Sequence, residues 1–492
     1  MQEMIVSGLQ RGFQEGRVTA RAVTEWYLAR IAALDHSGPR VKAVVEINPD
    51  ALAIAAARDR ERRAGFVRGP LHGVPVLVKD NIDTADRMST AAGSLALAGH
   101  APARDAFVIA RLRAAGAVIL GKTNMSEWAG FRSSRSIGGW SARGGLTRNP
   151  YALNRNACGS SSGSAAAVAS NFCAVAVGTE TDGSITAPAS ANGIVGIKPT
   201  LGLISRSGLI PIGHSQDTAG SMARTVRDAA VLLQAMAGTD PRDRETAGLR
   251  AAPDYTRFLD PRGLRGARLG IERQYFGDHP AANKLLEECL AVLKHEGAVL
   301  VDPAELPSHG ELDEDELEVL LYEFKADLNA YLACRPGARV RSLADVIAFN
   351  RRHRAEEMPY FEQDLFERAQ AKGGLAERAY VAARARCLEL SRTRGIDALV
   401  KKHRLDAIVA PTAAPAPVID TVLGDPSWPC CTKPAAVAGY PHISVPAGFV
   451  QGLPVGLSFF GPAWSEPALL KLAYSFEQAS QARRPPRFAP SV

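Results

Sequence analysis

No stretch of this 492-residue chain approaches the roughly 18 consecutive apolar residues that a membrane-spanning helix needs. Its first twenty residues, MQEMIVSGLQRGFQEGRVTA, also lack the unbroken apolar core of a secretory signal. A soluble, cytoplasmic protein with no membrane partner is therefore expected. Cysteine is sparse: the seven are scattered apart from the adjacent pair Cys430 and Cys431, and no spacing reads as a zinc site or redox pair. That argues against disulfides and structural metal, and without a clustered His/Cys/carboxylate set no metal or organic cofactor is expected. Apart from an acidic run at 311–318, blocks of one charge are missing as well. The 58 basic and 51 acidic residues are interspersed, so a net charge of +7 builds no patch for nucleic acid. Finally, there is no internal repeat and no Pro/Gly-rich linker, which favours one continuous α/β domain over residues 1–492.

What is present is a composition 46% hydrophobic, enough for a large core, arranged in alternating helix and strand patterns. From Thr19 to Leu34, Val23, Trp26, Tyr27 and Ile31 share one helical face, and a second helix follows Asn48-Pro49-Asp50. In GVPVLVKDN, Val74, Val76 and Val78 alternate into Lys79 and Asp80, a strand running into a polar loop where side chains often do chemistry. A helix closed by glycine at Gly116 and the strand AVILGKTN continue a β-α-β rhythm. It is repeated by ARLGIE, ANKLLEECLAVLKHEG and AVLVD. The closing strands are LDAIVAP, PHISVPAGF and GLPVGLSFFG, the last two a hairpin around Gln451-Gly452. Residues 310–400 turn helical and charged; they are expected to form an inserted helical cap, with the acidic run ELDEDELE a solvated face.

Two general motifs mislead. Gly116-Ala-Val-Ile-Leu-Gly121-Lys122-Thr123 has the spacing of a phosphate-binding loop, but its four middle residues want a buried strand. Gly159-Ser160-Ser161-Ser162-Gly163 matches a nucleophile elbow with Ser161 as nucleophile, the signature of an α/β-hydrolase-type esterase. An elbow must follow a strand, yet NPYALNRNAC reads as loop, and none of His214, His295, His309, His353, His403 and His442 stands out as its base.

Three separated segments act together: VKDN at 78–81, CGSSSGSAAAVAS at 158–170 and VGTETDGSITAPAS at 177–190. In their order, and in the 24 residues from Ser160 to Ser184, the chain resembles the amidase signature family over nearly its whole length. The resemblance implies a three-layer α/β/α fold with a mixed, twisted central sheet. It also implies an amidohydrolase that works through an acyl-enzyme: Ser184 the nucleophile, Ser160 a bridging serine after a cis peptide bond, and Lys79 the terminal base. Backbone N–H groups of Thr181, Asp182, Gly183 and Ser184 would form the oxyanion hole. The chemistry suits the residue types. A serine hydroxyl needs a base to take its proton as it attacks, Ser160 can accept from one partner while donating to the other, and Lys79 serves only when neutral.

Departures bear on substrate. The commoner family form reads GTDTGGSIR; here Glu180, Asp182 and Thr186 stand instead, so no arginine flanks the nucleophile. GTETDGSI, with NMSEWAGFRS at 124–133, GWSARGG at 139–145 and HSQDTAGSMART at 214–225, is most similar to the bacterial peptide amidase branch. That branch cuts C-terminal carboxamides from peptides, and relatives take aryl or alkyl amides, esters or carbamates. Met125, Trp128 and Phe131 are candidates to line an apolar acyl pocket. The competing expectation is an amidotransferase component that hydrolyses glutamine for a partner protein; it is disfavoured because glutamine's α-carboxylate would want a cation where Thr186 stands. A monomer or homodimer acting on a small-molecule or peptide amide is expected.

Overall fold

The Val- and Ile-rich segments that the sequence offers as strands meet in one sheet. The computed structural model describes residues 3–249, 252–335 and 337–492. In chain order the strands are β1 (Val44–Ile47), β2 (Pro75–Lys79), β3 (Val118–Thr123), β4 (Trp140–Ser141), β5 (Gly145–Leu146), β6 (Val175–Glu180) and β7 (Val195–Lys198). There follow β8 (Thr218–Ala223), β9 (Arg268–Ile271), β10 (Val299–Val301), β11 (Ala407–Pro411), β12 (His442–Val450) and β13 (Leu453–Phe460). Eleven of them form the sheet β1-β3-β2-β6-β8-β7-β12-β13-β11-β9-β10, and β4 and β5 make a separate small ladder. β2 runs parallel to β3 and β6, β9 runs parallel to β10 and β11, and the other pairings are antiparallel, so the sheet is mixed. With helices on both faces, β2 and β6 are buried along their whole length, as continuous apolar strands require. Gly116–Thr123 is accordingly no phosphate loop: it leads into β3, whose Lys122 is wholly buried.

Parallel pairing of β2 with β6 decides where the chemistry sits. The register Val76 with Val175 and Val78 with Val177 brings the C-terminal ends of both strands to one edge, so Lys79 lies beside Thr179 and Glu180. The Ser/Ala-rich helix Ser162–Ala169 packs beneath them with every residue buried. Its small side chains permit close approach. A Cβ on Gly163 would come within 2.3 Å of the Ala43 carbonyl and 2.5 Å of the Asn124 backbone. Gly163→Ala is therefore expected to destabilise the protein by about 3 kcal/mol or more, the upper end for an overpacked site, because backbone rather than a flexible side chain must yield. The midpoint of urea unfolding checks this.

Between 310 and 400 the chain is helical, with Asp313–Ala333, Leu343–Arg352, Asp364–Gln370 and Arg378–Leu388. Leu320, Phe324, Leu328 and Phe366 from these helices share a hydrophobic cluster with Ala91, Leu97, Met125, Trp128 and Ile212, so they cover the loops at the active edge of the sheet. The acidic run ELDEDELE departs from the expected solvated face. Asp313 is exposed, but one helical step later Glu316 points inward, where Gln216 and Lys433 hold it.

Candidate active site

Lys79 closes β2 and is wholly buried. Its Nζ donates to Ser160 Oγ at 2.8 Å, to Thr179 Oγ1 at 2.9 Å and to the Thr179 carbonyl at 3.1 Å. Burial pulls its pKa from the usual 10.5 to about 7, against the opposing pull of the Asp217 and Glu180 carboxylates. Near neutrality this amine can thus lose its proton and accept one from a serine.

Ser160 follows a cis Gly159–Ser160 peptide bond in the turn before helix Ser162–Ala169. Its carbonyl accepts from the Ser126 N–H at 3.1 Å. Ser184 lies in the turn after β6, 8% exposed, and its carbonyl accepts from the Ser161 N–H at 3.1 Å, which ties the two serine loops together. The Ser161 N–H thus ties the turn that carries Ser184 to the loop that carries Ser160, whose Oγ meets the Lys79 amine.

The turn leading to Ser184 is held from below. Buried Glu180 accepts the N–H groups of Ile185 at 2.7 Å and Thr186 at 2.9 Å. The N–H groups of Asp182, Gly183 and Ser184 donate no hydrogen bond among the described residues. Gly183 sits at φ +73°, and a Cβ there would meet Thr432 Oγ1 at 2.8 Å, so the turn demands glycine. Thr181, the fourth expected donor, has its hydroxyl bound to Asp217 Oδ1 at 2.5 Å.

Ser161 is placed differently from an elbow nucleophile. It is fully buried; its hydroxyl donates to the Thr179 carbonyl at 3.0 Å and accepts the Thr179 N–H at 3.2 Å. Both hydrogen-bonding capacities are committed to the backbone, and a loop rather than a strand precedes it.

A narrow cavity beside Lys79 and Thr181 is lined by Asn81, Ala129, Thr179, Thr181, Leu209, Ile210, Ile212 and Asp217. Of the Met125–Phe131 segment, Ala129 reaches it. Met125, Trp128 and Phe131 are instead buried in the cluster beneath the helical region: Trp128 meets Phe366 edge-on with ring centres 5.8 Å apart, and Phe131 meets Phe324 at 5.1 Å. The reason is backbone conformation. Trp128 and Ala129 are consecutive left-handed residues, a turn that sends the indole toward the helices and leaves Ala129 on the cavity wall.

Sequence reasoning did not single out Thr179, Asn81, Asp217 or Ser126, although all four lie inside the quoted motifs. Thr179 Oγ1 accepts from both Lys79 and Asn81 Nδ2, and the buried Asp217 carboxyl, its pKa raised to about 7 by desolvation, binds Thr181 and the N–H groups of Ile212 and Gly213. The signal was the spacing of polar residues at strand ends, which does not say which of them face each other. Among the described residues one group could hold a metal: His214, Glu323 and Asp327. His214 Nδ1 already lies 2.9 Å from Asp327 Oδ2, and Tyr380 donates to Glu323.

The chain is similar to known proteins over nearly its whole length. The Amidase family model matches residues 22–470. The native peptide amidase of Stenotrophomonas maltophilia superposes with a TM-score of 0.94 at 53% identity, over 99% of both chains. A probable amidase of Arabidopsis thaliana is 44% identical over 99% of this chain and 92% of its own length. A glutamyl-tRNA(Gln) amidotransferase component of Chloroflexus aurantiacus is 36% identical, over 98% of this chain and 97% of its own. With a buried lysine on a serine, a second serine in a turn of free N–H groups and this extent of similarity, the chain belongs to the amidase family and is a hydrolase of amide C–N bonds.

Proposed function

We propose that this amidase removes C-terminal carboxamides from peptides by a Ser184 acyl-enzyme, using Ser160 and Lys79 to move the proton and no metal or organic cofactor. One observation carries the reading: the wholly buried Lys79 amine, with its pKa near 7, is bonded to Ser160 Oγ. As the Ser184 hydroxyl attacks the carboxamide carbon, its proton passes to Ser160, and the Ser160 proton passes to Lys79. The developing oxyanion is met by the N–H groups of Thr181, Asp182, Gly183 and Ser184. The relay then runs backward to protonate the leaving nitrogen, ammonia departs, and water attacks the ester through the same path to release the acid and restore Ser184.

The peptide preference rests on similarity to the peptide amidase. Met125, Trp128 and Phe131 contribute by setting the Ala129 wall, and the helices of 310–400 act as a cap over the entrance of a single domain. Similarity to amidotransferase components supplies the competing reading. Against it, Thr186, standing where the commoner family form has arginine, is buried and bonded to Glu180, so that position offers no cation to an α-carboxylate. We place the enzyme in the cytoplasm as a monomer or homodimer.

A panel of a peptide amide, an aryl anilide, a carbamate and free glutamine, assayed with excess chelator, tests this function. The peptide amide is expected to give the highest kcat/KM, chelation to change nothing, and mass mapping of a phosphonylating serine probe to find the adduct on Ser184. A preference for glutamine, a metal requirement or an adduct on Ser161 would each overturn the proposal.

A further inference from the structure

One residue of the helical region, Glu316, is linked to both Thr181 and Asp182 through intermediate side chains. On the carbonyl side, Gln216 Nε2 donates to the Thr181 carbonyl at 3.2 Å and to Glu316 Oε1 at 2.8 Å. On the Asp182 side, the carboxylate accepts from Thr432 Oγ1 at 2.7 Å and lies 3.5 Å from Lys433 Nζ, and that same ammonium pairs with Glu316 Oε2. The circuit Thr181 carbonyl, Gln216, Glu316, Lys433, Asp182 is therefore closed, and Glu316 is the member that joins its two halves. Glu316 and Gln216 are buried, so water competes little for the contacts on the carbonyl side, while Lys433 and Asp182 are partly exposed.

Peptide planarity gives the circuit its meaning. The Thr181 carbonyl and the Asp182 N–H belong to the same plane and point in opposite directions, so fixing the oxygen aims the hydrogen. A hydrogen bond accepted at the carbonyl also polarises the unit and strengthens its N–H as a donor. Donors to an oxyanion are effective only when already oriented.

We propose that Glu316, acting through Gln216 and Lys433, is a positioning residue for the oxyanion hole: it sets the Asp182 N–H, and with it the turn to Ser184, without touching substrate. The inference rests on the Ser184 acyl-enzyme reading. It assigns to the helical region a part in the chemical step beyond covering the entrance. Lys433 also faces the exposed Asp313 at 3.3 Å, but Asp313 makes no contact with the turn and is not part of the circuit.

The test compares two ligands of one scaffold, an N-acyl-phenylalanine aldehyde and its alcohol. The aldehyde is attacked by Ser184 and presents an oxyanion; the alcohol occupies the same pocket without one. In the wild type the aldehyde should bind far more tightly. For Glu316→Gln and Lys433→Met, kcat on the matching amide should fall about tenfold with KM changed less than about twofold, the pattern of an interaction realised in the transition state. Aldehyde affinity should fall by the same factor while alcohol affinity holds. The double variant should lose little more than either single one, because both cut the same circuit. Unchanged kcat and aldehyde affinity in either folded variant, or equal losses for aldehyde and alcohol, would overturn the assignment. A wild type that does not prefer the aldehyde would instead remove the acyl-enzyme reading itself, and the assignment with it.

Discussion

Lys79→Ala is expected to lower kcat/KM by about 10²–10⁴-fold, the range attributable to a positioned proton acceptor, while leaving the protein folded. The Nζ of Lys79 makes three hydrogen bonds, and only the one to Ser160 lies on the proposed proton path; those to Thr179 hold the amine in place. The wild-type pH profile supplies a second reading of the same group. The acceptor works when neutral, and its pKa is depressed to about 7. Activity should therefore climb about tenfold per unit on the acid side, as expected for one required deprotonation, and level off above pH 7. In Lys79→Ala that acid limb should vanish along with the rate. If the variant kept near-normal turnover, or if the wild-type limb fell near pH 4, the base would be a carboxylate and the relay would have to be redrawn. Asp217, with its pKa also near 7, is the group to separate, and Asp217→Asn should retain the limb.

Ser184→Ala should be more severe still. Loss of a nucleophile in comparable serine hydrolases costs on the order of 10⁶ in kcat, with residual rate from the oxyanion donors alone. The same variant should no longer take up a phosphonylating probe. Ser160→Ala should come close to it, since it breaks the path between nucleophile and base, and combining the two should add little because they act as a unit. Ser161→Ala is the contrast. It should remain labelled at Ser184 and lose stability rather than mechanism, having given up two hydrogen bonds to the Thr179 backbone. Label on Ser161 that persisted in Ser184→Ala would end the present assignment.

How far the site was legible in the sequence depended on the kind of residue. Strands with β-branched alternation, such as β2, β3, β11 and the β12–β13 hairpin, were visible as patterns, as was the helix ending at Gly116. β8 was not, because Thr-Ala-Gly-Ser-Met-Ala has no strand signature; it forms because β6 and β7 supply partners on both sides. Ser160, Ser184 and Lys79 were proposed from motifs spaced along the chain as in the family, and the structure brings the Ser160 Oγ onto the Lys79 amine. Met125, Trp128 and Phe131 could not be placed, since two left-handed residues at Trp128 and Ala129 bear on which side chain faces the cavity. Glu316 shows the same limit. Within ELDEDELE nothing distinguishes it from its neighbours until the helix turns and Lys433, over a hundred residues further along, comes to meet it.

Lys79 has a consequence for the lifetime of the protein as well as for its chemistry. A lysine whose pKa drops from 10.5 to about 7 on folding opposes folding by on the order of 5 kcal/mol at and below neutral pH. The sign follows from proton binding: between about pH 7 and 10.5 the unfolded chain holds the extra proton, so stability rises with pH across that window. Lys122 and Lys198, also wholly buried and depressed to about 8, add to the same load. Whole proteins retain only about 5–15 kcal/mol of net stability, so a single buried amine offsets a sizeable part of it. The inactive Lys79→Met protein should accordingly melt higher than the working enzyme. Selection for heat resistance alone would erode the base before it eroded the core.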